Sequence, residues 1–347
     1  MYSTTKTWTT TDDCGNVGTA TQTVTYKKDT TSPTITTYNE LDNLESWAKD
    51  KGGDNLKILV IDDGSEPAVN QASLQRRFGP QIKVHRNQTC MGIYQVRKKG
   101  SELASGQYVY QLDDDDRLVA GSLDIALAAL IEHDLDVLYL NVEGFGERGE
   151  QFNRHQAAAL ERFMALAQPL TLAPQVDHLP HACTALLQLT PSALQHPLAK
   201  RQVWLDINNV RAMAYQVAND AGVVVDSTRS AGLLDALNDC EFALYASCLV
   251  KVGLYQRPCY LARCEGFRYF SNAKSNQQQL EANLLFKRRF YAMCRKLPSL
   301  KWVRKPAKSA LAQVYFNAAW HALKQQGDKG AAFKLLRQSA QLALQLR

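Results

Sequence analysis

The chain has 347 residues, 45% of them apolar and 21% charged, with a modest net charge of +6. That is an ordinary globular composition, long enough for one large domain or two smaller ones. It contains no run of about eighteen apolar residues, which excludes a transmembrane helix, and no nucleic-acid partner is expected. The opening MYSTTKTWTTTDD lacks the apolar stretch of a secretory signal, so a cytoplasmic protein is expected. Eight cysteines, at 14, 90, 183, 240, 248, 259, 264 and 294, are scattered and never spaced C-x-x-C. Reduced, buried thiols are expected rather than a disulfide framework or a zinc site.

Residues 1–32 are rich in threonine. Thr7–Thr11 and Thr19–Tyr26 read as two strands around the turn DDCGNVG, a hairpin signal. The stretch resembles the last hairpin of a hyalin-repeat (HYR) module of secreted adhesion proteins, of which it holds only about a third. A lone hairpin is marginal in water, so an appendage is expected, loosely ordered or docked on the main domain.

From Ser32–Pro33 onward strands and helices alternate. Strands are predicted at Thr34–Tyr38, Leu56–Ile61, Gln81–His85, Gln107–Leu112 and Asp136–Val142. Helices are predicted at Glu40–Lys49, Asn70–Phe78, Gly92–Ser105 and Ser122–Glu132. This alternation implies βαβ units and a doubly wound, mainly parallel sheet. Leu56–Ile61 is continuously apolar, as a strand covered on both faces must be. Neither G-x-G-x-x-G nor a P-loop occurs, which argues against a dinucleotide-binding or P-loop domain.

Two of these strands end in carboxylates. VIDDGS spans Val60–Ser65, and QYVYQLDDDD runs from Gln107 into Asp113, Asp114, Asp115 and Asp116. Strand ends are where ligands bind in open α/β sheets. Clustered carboxylates repel one another unless a cation lies among them, and hard divalent cations take oxygen ligands.

TITTYN (Thr34–Asn39), VIDDGS, GIYQVRKKGSELASGQYVYQLDDDD (Gly92–Asp116) and NDCEFAL (Asn238–Leu244) stand in the order found in family 2 glycosyltransferases. The chain resembles that family over residues 33–275. The resemblance implies a GT-A-type α/β fold, a nucleotide-sugar half at 33–143 and an acceptor half at 144–275. It implies an inverting, Mn²⁺- or Mg²⁺-dependent transfer from a nucleotide-sugar donor to a glycan, lipid-linked or protein acceptor, most often in polysaccharide or surface-glycan assembly. By position in the motifs, Asp115 matches the metal ligand, and Asp113 or Asp114 the ribose contact, with Asp116 in support. Asp63 matches the nucleobase contact, Thr36 and Tyr38 the residues flanking the base, and Arg97 a residue reaching the diphosphate. Asp239 matches the general base. It also sits where an aspartate caps a helix, and both roles are open. The sequence departs from the pattern at Lys98, where the family has Asn, and at Asn238, where it has Glu. In the closing Tyr-Arg-x-His segment Arg268 matches, while Phe267 and Phe270 replace Tyr and His.

After Gly144 the expectations are a mobile loop over GFGERGEQFNR, a helix at Gln156–Leu166 and a strand at His181–Leu189. A polar segment is expected between Trp204–Asp206 and Leu233–Asp239, then a helix at Glu241–Lys251 and a strand at Pro258–Leu261. From residue 276 a helical tail is expected. Its stretch Phe286–Lys308 holds nine Lys or Arg and no acid, either a solvated face or a patch for anionic lipid or an anionic acceptor. Ala310–Gln326 and Lys329–Leu346 resemble one tetratricopeptide-type helical hairpin. The rival reading is an interaction protein, in which a degenerate transferase domain binds a nucleotide sugar without turning it over. A nucleotidyltransferase is a third option, but no glycine-rich loop comes after the first strand.

Overall fold

The computed structural model describes residues 2–11, 17–26, 57–80, 82–113, 116–220, 238–264 and 273–344. The expected strand at Thr34–Tyr38 and helix at Glu40–Lys49 lie outside them, as do Thr36, Tyr38, Asp114, Asp115 and the Phe267–Phe270 segment.

Strands β1 (Tyr2–Thr11) and β2 (Val17–Tyr26) pair antiparallel from Tyr2↔Tyr26 to Thr11↔Val17. Next come β3 (Ile58–Asp62), α1 (Gln71–Phe78), β4 (Ile82–Arg86), α2 (Ile93–Leu103), β5 (Tyr108–Tyr110), β6 (Arg117–Leu118), α3 (Ser122–Glu132) and β7 (Val137–Phe145). The second half holds α4 (Gly149–Ala167), β8 (Leu170–Ala173), β9 (Val176–His178), α5 (Ala182–Leu186), β10 (Pro197–Lys200), α6 (Arg201–Asp220), α7 (Asn238–Leu249) and β11 (Val252–Arg263). Three helices complete the chain: α8 (Ala273–Lys296), α9 (Arg304–Gln325) and α10 (Lys329–Leu344), with a 3₁₀ turn at Pro298–Val303 between the first two.

The largest sheet is built around β7. Successive side chains of a strand point to opposite faces. Val137 and Tyr139 accordingly enter one apolar cluster, with α5, α7 and α8, while Leu138 and Leu140 enter the other, with α3. All four are fully buried, and each of the three aliphatic ones contributes about 1.5–3 kcal/mol of transfer free energy.

The strand order is β5-β10-β7-β11-β9-β8, with β6 on β11. Among the described residues of this sheet, only β7 and β11 pair parallel; β10 is antiparallel to both β5 and β7, and β9 and β6 are antiparallel to β11. The sheet is therefore mixed, which corrects the mainly parallel expectation. The cause is specific. Strands β5 and β7 do run in the same direction, as a βαβ unit requires, but the four-residue β10 enters between them from later in the chain. Strands of two to four residues carry too little periodicity to be read. A separate parallel pair, β3 and β4, is in register from Ile58↔Ile82 to Asp62↔Arg86.

Other expectations fail for packing reasons. Gly144–Arg154 is no mobile loop: it is the end of β7, a turn and the start of α4. Its glycines serve close approach, since a Cβ on Gly149 would lie 2.7 Å from the Gly144 carbonyl oxygen. Asn153 fastens the corner, accepting from the Gly144 N–H at 2.6 Å and donating to its carbonyl at 3.2 Å. His181–Leu189 contains the helix α5, not a strand. Ala182, Cys183, Ala185 and Leu186 are all buried, and a short run buried on every side looks alike in either conformation. Trp204–Asp206 lies inside α6.

The thiol expectation also needs correction. Cys183 on α5 and Cys248 on α7 form a disulfide with Cα atoms 5.4 Å apart. The residues are 65 apart in sequence, so no local spacing announces them. Closing such a loop contributes on the order of 4 kcal/mol in the chain-entropy account. Cys259, Cys264 and Cys294 are buried and lie outside that disulfide, while Cys90 is exposed.

The tail forms a helical hairpin, whose first helix begins at Arg304 rather than at the expected Ala310. Gly327 adopts a positive φ of 67°, and the Asp328 side chain accepts from the Ala331 N–H at 2.9 Å to start α10. The basic run is not one solvated face: Lys287, Arg289 and Lys308 are buried.

Candidate active site

The carboxylates at the end of β3 organise the loops around them. Asp62 accepts from the Ser65 and Val69 N–H groups at 2.8 and 3.1 Å and from Arg86 at 2.6 Å. Burial opposes its charge, but these donors hold its carboxyl below the usual carboxylate range. Gly64, at φ 85°, makes the next turn, where a Cβ would press to 3.2 Å from the Cys90 nitrogen. Asp63 is fully buried. It accepts from Asn87 Nδ2 at 2.7 Å, from the Met91 N–H at 2.9 Å and from the Gly92 N–H at 3.1 Å. It therefore binds the entry of α2, where a negative charge also suits the helix dipole.

Helix α2 carries Arg97, the centre of the site. One guanidinium nitrogen donates to both oxygens of Asp113, at 2.6 and 3.0 Å. The other pairs with Asp239 Oδ1, in the first turn of α7. Arg97 is one-tenth exposed, and its partners about a quarter. Two residues of the Gly92–Asp116 motif, Arg97 and Asp113, thus meet Asp239 of the Asn238–Leu244 motif at one point. Gln111 sets the distance between their elements, donating from the end of β5 to the Arg97 carbonyl at 3.0 Å and to Ser101 at 3.1 Å. Lys98 turns away to pair with Glu102 one turn along.

The other end of the acidic run is held by β11. Tyr260 donates its hydroxyl to Asp116 Oδ2, and the Arg263 N–H donates to Oδ1 at 2.6 Å. His196, just before β10, stacks on Tyr260 with ring centres 3.5 Å apart. Burial pushes its imidazole down to about 3, although Asp113 pulls the other way, so the ring is neutral at physiological pH. Burial also opposes the charge on Asp113, but Arg97 holds its carboxyl below the usual range. Burial raises the Tyr110 and Tyr260 hydroxyls well above 10, with Asp113 and Asp116 adding to the effect.

Beneath Asp239, Glu241 is buried between Arg211 at 3.2 Å and Arg289 at 2.8 Å. Arg211 lies 4.4 Å above the Tyr94 ring, Arg289 lies 4.4 Å above Tyr215, and those two rings stack at 5.2 Å. Tyr94 is three residues before Arg97, on the same side of α2. This cluster joins α2, α6, α7 and α8, and so fixes the helix of Arg97 against the helix of Asp239. His196, Tyr260, Arg211 and Arg289 stand in no motif, and nothing local in the sequence marks them. Glu241 stands beside Asp239 but reads only as an acid in a first helical turn.

Among the described residues no group of three or more His, Cys, Asp or Glu is arranged to hold a metal. Asp113 and Asp116 are engaged by protein partners, and Asp114 and Asp115 lie between them, outside the described residues. A cleft of about 360 Å³ opens on α4, lined by Arg148, Phe152, His155, Gln156, Thr190 and Ser192 among others. It includes none of the aspartates.

Residues 33–188 match the model of the family described as Glycosyl transferase family 2. That stretch contains Asp63, Arg97 and the acidic run. Over 97 residues the chain is 32% identical to the uncharacterized glycosyltransferase YibD of Escherichia coli (strain K12), covering 27% of this chain and 28% of that protein. Among solved structures it is similar to S. aureus TarS 1-349 in complex with UDP-GlcNAc, at 16% identity over 89% of this chain and 90% of that one, with a TM-score of 0.45. It is likewise similar to TarS 1-349 in complex with UDP, at 14% identity over 90% of each chain, with a TM-score of 0.47. No helix among the described residues is long and apolar enough to cross a membrane.

Proposed function

We propose that the chain is an inverting, metal-dependent glycosyltransferase with a GT-A-type domain. It moves a sugar from a nucleotide-diphosphate donor to a hydroxyl of a glycan, lipid-linked or protein acceptor, in polysaccharide or surface-glycan assembly. The observation that carries the reading is the meeting of Asp113, Arg97 and Asp239, together with the family match over residues 33–188. In this reading Asp239 takes the proton of the acceptor hydroxyl as its oxygen attacks the anomeric carbon. The bond from that carbon to the diphosphate breaks, and its electron pair leaves with the diphosphate. Attack from the face opposite the leaving group inverts the centre. Arg97 offers a planar fork suited to phosphate oxygens. When the diphosphate takes that fork, the Arg97–Asp239 ion pair opens and the carboxylate can turn to the acceptor hydroxyl. Asp113 or Asp114 holds the ribose, while Asp63, Thr36 and Tyr38 form the base pocket.

A hard divalent cation such as Mn²⁺ or Mg²⁺ would neutralise the leaving diphosphate. Such ions are bound by one or two carboxylates plus substrate phosphates. By its position in the motif Asp115 would hold the ion, and protein donors engage its neighbours Asp113 and Asp116. The assignments at 33–143 to the donor and 144–275 to the acceptor belong to the same reading.

One observation favours the rival, a nucleotide-sugar binder without turnover: Arg97 ties up the carboxylate of Asp239. A panel of nucleotide sugars, assayed for hydrolysis and transfer with Mn²⁺ and with chelator, separates the two. Metal-dependent release of nucleoside diphosphate supports the transferase. Tight donor binding with no release across the panel supports the binder.

A further inference from the structure

We infer that the C-terminal helices form a docking surface for an anionic phospholipid bilayer. The charge of the chain is split. Residues 273–347 hold 15 Lys or Arg against two acids, Glu281 and Asp328, a net of +13. Since the whole chain carries +6, residues 1–272 carry −7. A surface potential from anionic lipids therefore attracts the C-terminal helices, while the rest of the sequence carries the opposite net charge.

The structure shows what the basic end presents. Of the nine cations between Phe286 and Lys308, three are buried. Arg295, Lys296, Lys301, Arg304 and Lys305 are exposed, and in the sequence they flank Trp302, which is 55% exposed. Leu300 and Val303 of the same turn point into the core. The turn is thus anchored from within while it presents an indole among cations. That pairing suits the headgroup region, where tryptophan's amphipathic ring settles and basic side chains meet lipid phosphates.

The surface continues along α9. From Trp302 the exposed positions step by three or four residues through Lys305, Ser309, Gln313 and Phe316 to Trp320 and Leu323. This spacing places them on one helix face. Phe316, Trp320 and Leu323 are 48%, 57% and 40% exposed, and Lys324 lies over the Trp320 ring. The stripe is about 30 Å long at 1.5 Å per residue. Aromatic residues along a helix flanked by cations are the pattern of a segment lying in the plane of an interface.

Charge decides between occupants. A second copy placed on this face would set one +13 tail against another, whereas an anionic bilayer neutralises it. The inference does not depend on catalysis, and its test needs none.

The full chain is mixed with phosphatidylglycerol–phosphatidylcholine vesicles and with phosphatidylcholine vesicles, and bound protein is measured by co-sedimentation and by the blue shift of tryptophan emission. Binding is expected on the anionic vesicles only and is expected to weaken as salt rises. Each basic residue at the surface is worth about fivefold in partitioning, so Lys301→Gln/Arg304→Gln/Lys305→Gln is expected to lose about a hundredfold. Trp302→Phe/Trp320→Phe is expected to remove most of the blue shift while leaving sedimentation largely intact. Equal binding to both vesicle types, or salt-insensitive binding by the unaltered chain, would overturn the inference whatever the variants do. Self-association that Trp320→Ala abolishes, without vesicle binding, would assign the face to a second copy instead. Retention by an anionic glycan but not by vesicles would assign it to the acceptor.

Discussion

Replacing Arg97 by glutamine tests the centre of the site directly. The guanidinium is nine-tenths buried and pairs with two carboxylates that are each about a quarter exposed. Breaking a fully buried ion pair costs about 3–5 kcal/mol. Solvent reaches both carboxylates here, which discounts the expected cost to about 2 kcal/mol at neutral pH. The sign of its pH dependence comes from Asp113. Arg97 holds that carboxyl below its ordinary value, so the stabilisation is present above the unfolded value of about 3.9 and is lost as pH falls through the folded value. The cost of Arg97→Gln should therefore shrink as pH falls below the ordinary carboxylate range and through the folded value of Asp113. Urea denaturation of both proteins across that range measures it. Adding Asp239→Asn to Arg97→Gln removes one of the stranded charges, and should recover part of the loss as a coupling of about 1 kcal/mol. A cost that is absent at neutral pH, or constant down to acid, would mean that Arg97 does not link the two carboxylates in solution.

Asp239→Asn keeps a residue suited to a first helical turn but removes the ion pair. Stability should fall by about 1 kcal/mol, while transfer falls by about 10² to 10⁴-fold with donor affinity retained; undiminished turnover would exclude Asp239 as the base. Asp115→Asn should abolish transfer and the metal-dependent tightening of nucleotide binding, seen by calorimetry with Mn²⁺ and with chelator, without lowering the melting temperature. Full activity in chelator would refute the metal assignment. His196 is held neutral down to about 3, whereas an unfolded histidine takes a proton near pH 6.5. The unfolded state therefore binds more protons between those values, and stability should fall by up to about 1.4 kcal/mol per pH unit on acidification from about 6 to 4. His196→Phe should flatten that slope, and an unchanged slope would place the acid sensitivity elsewhere.

What is local or repeated was legible in the order of the residues. Apolar runs and turn residues marked β3, β4, β7, α1, α2 and α3 to within a few residues, because each buries a face whose periodicity can be counted. The tail hairpin was legible from its alanine and leucine spacing and its Gly-Asp turn. Ordered motifs singled out Asp63, Arg97, the acidic run and Asp239. Tertiary structure alone decided what depends on distant partners. It placed the four-residue β10 between β5 and β7 and made the sheet mixed, joined Cys183 to Cys248, and turned glycines that read as a loop into contact points of α4. It also set His196 against Tyr260 and buried Glu241 between Arg211 and Arg289. These side chains gain their meaning from neighbours tens of residues or more away, and a lone histidine or arginine carries no trace of them. The meeting of Arg97 with Asp113 and Asp239 belongs to both: motif order named the three residues, and the packing of α2 against the helices behind it brought them within hydrogen-bonding reach.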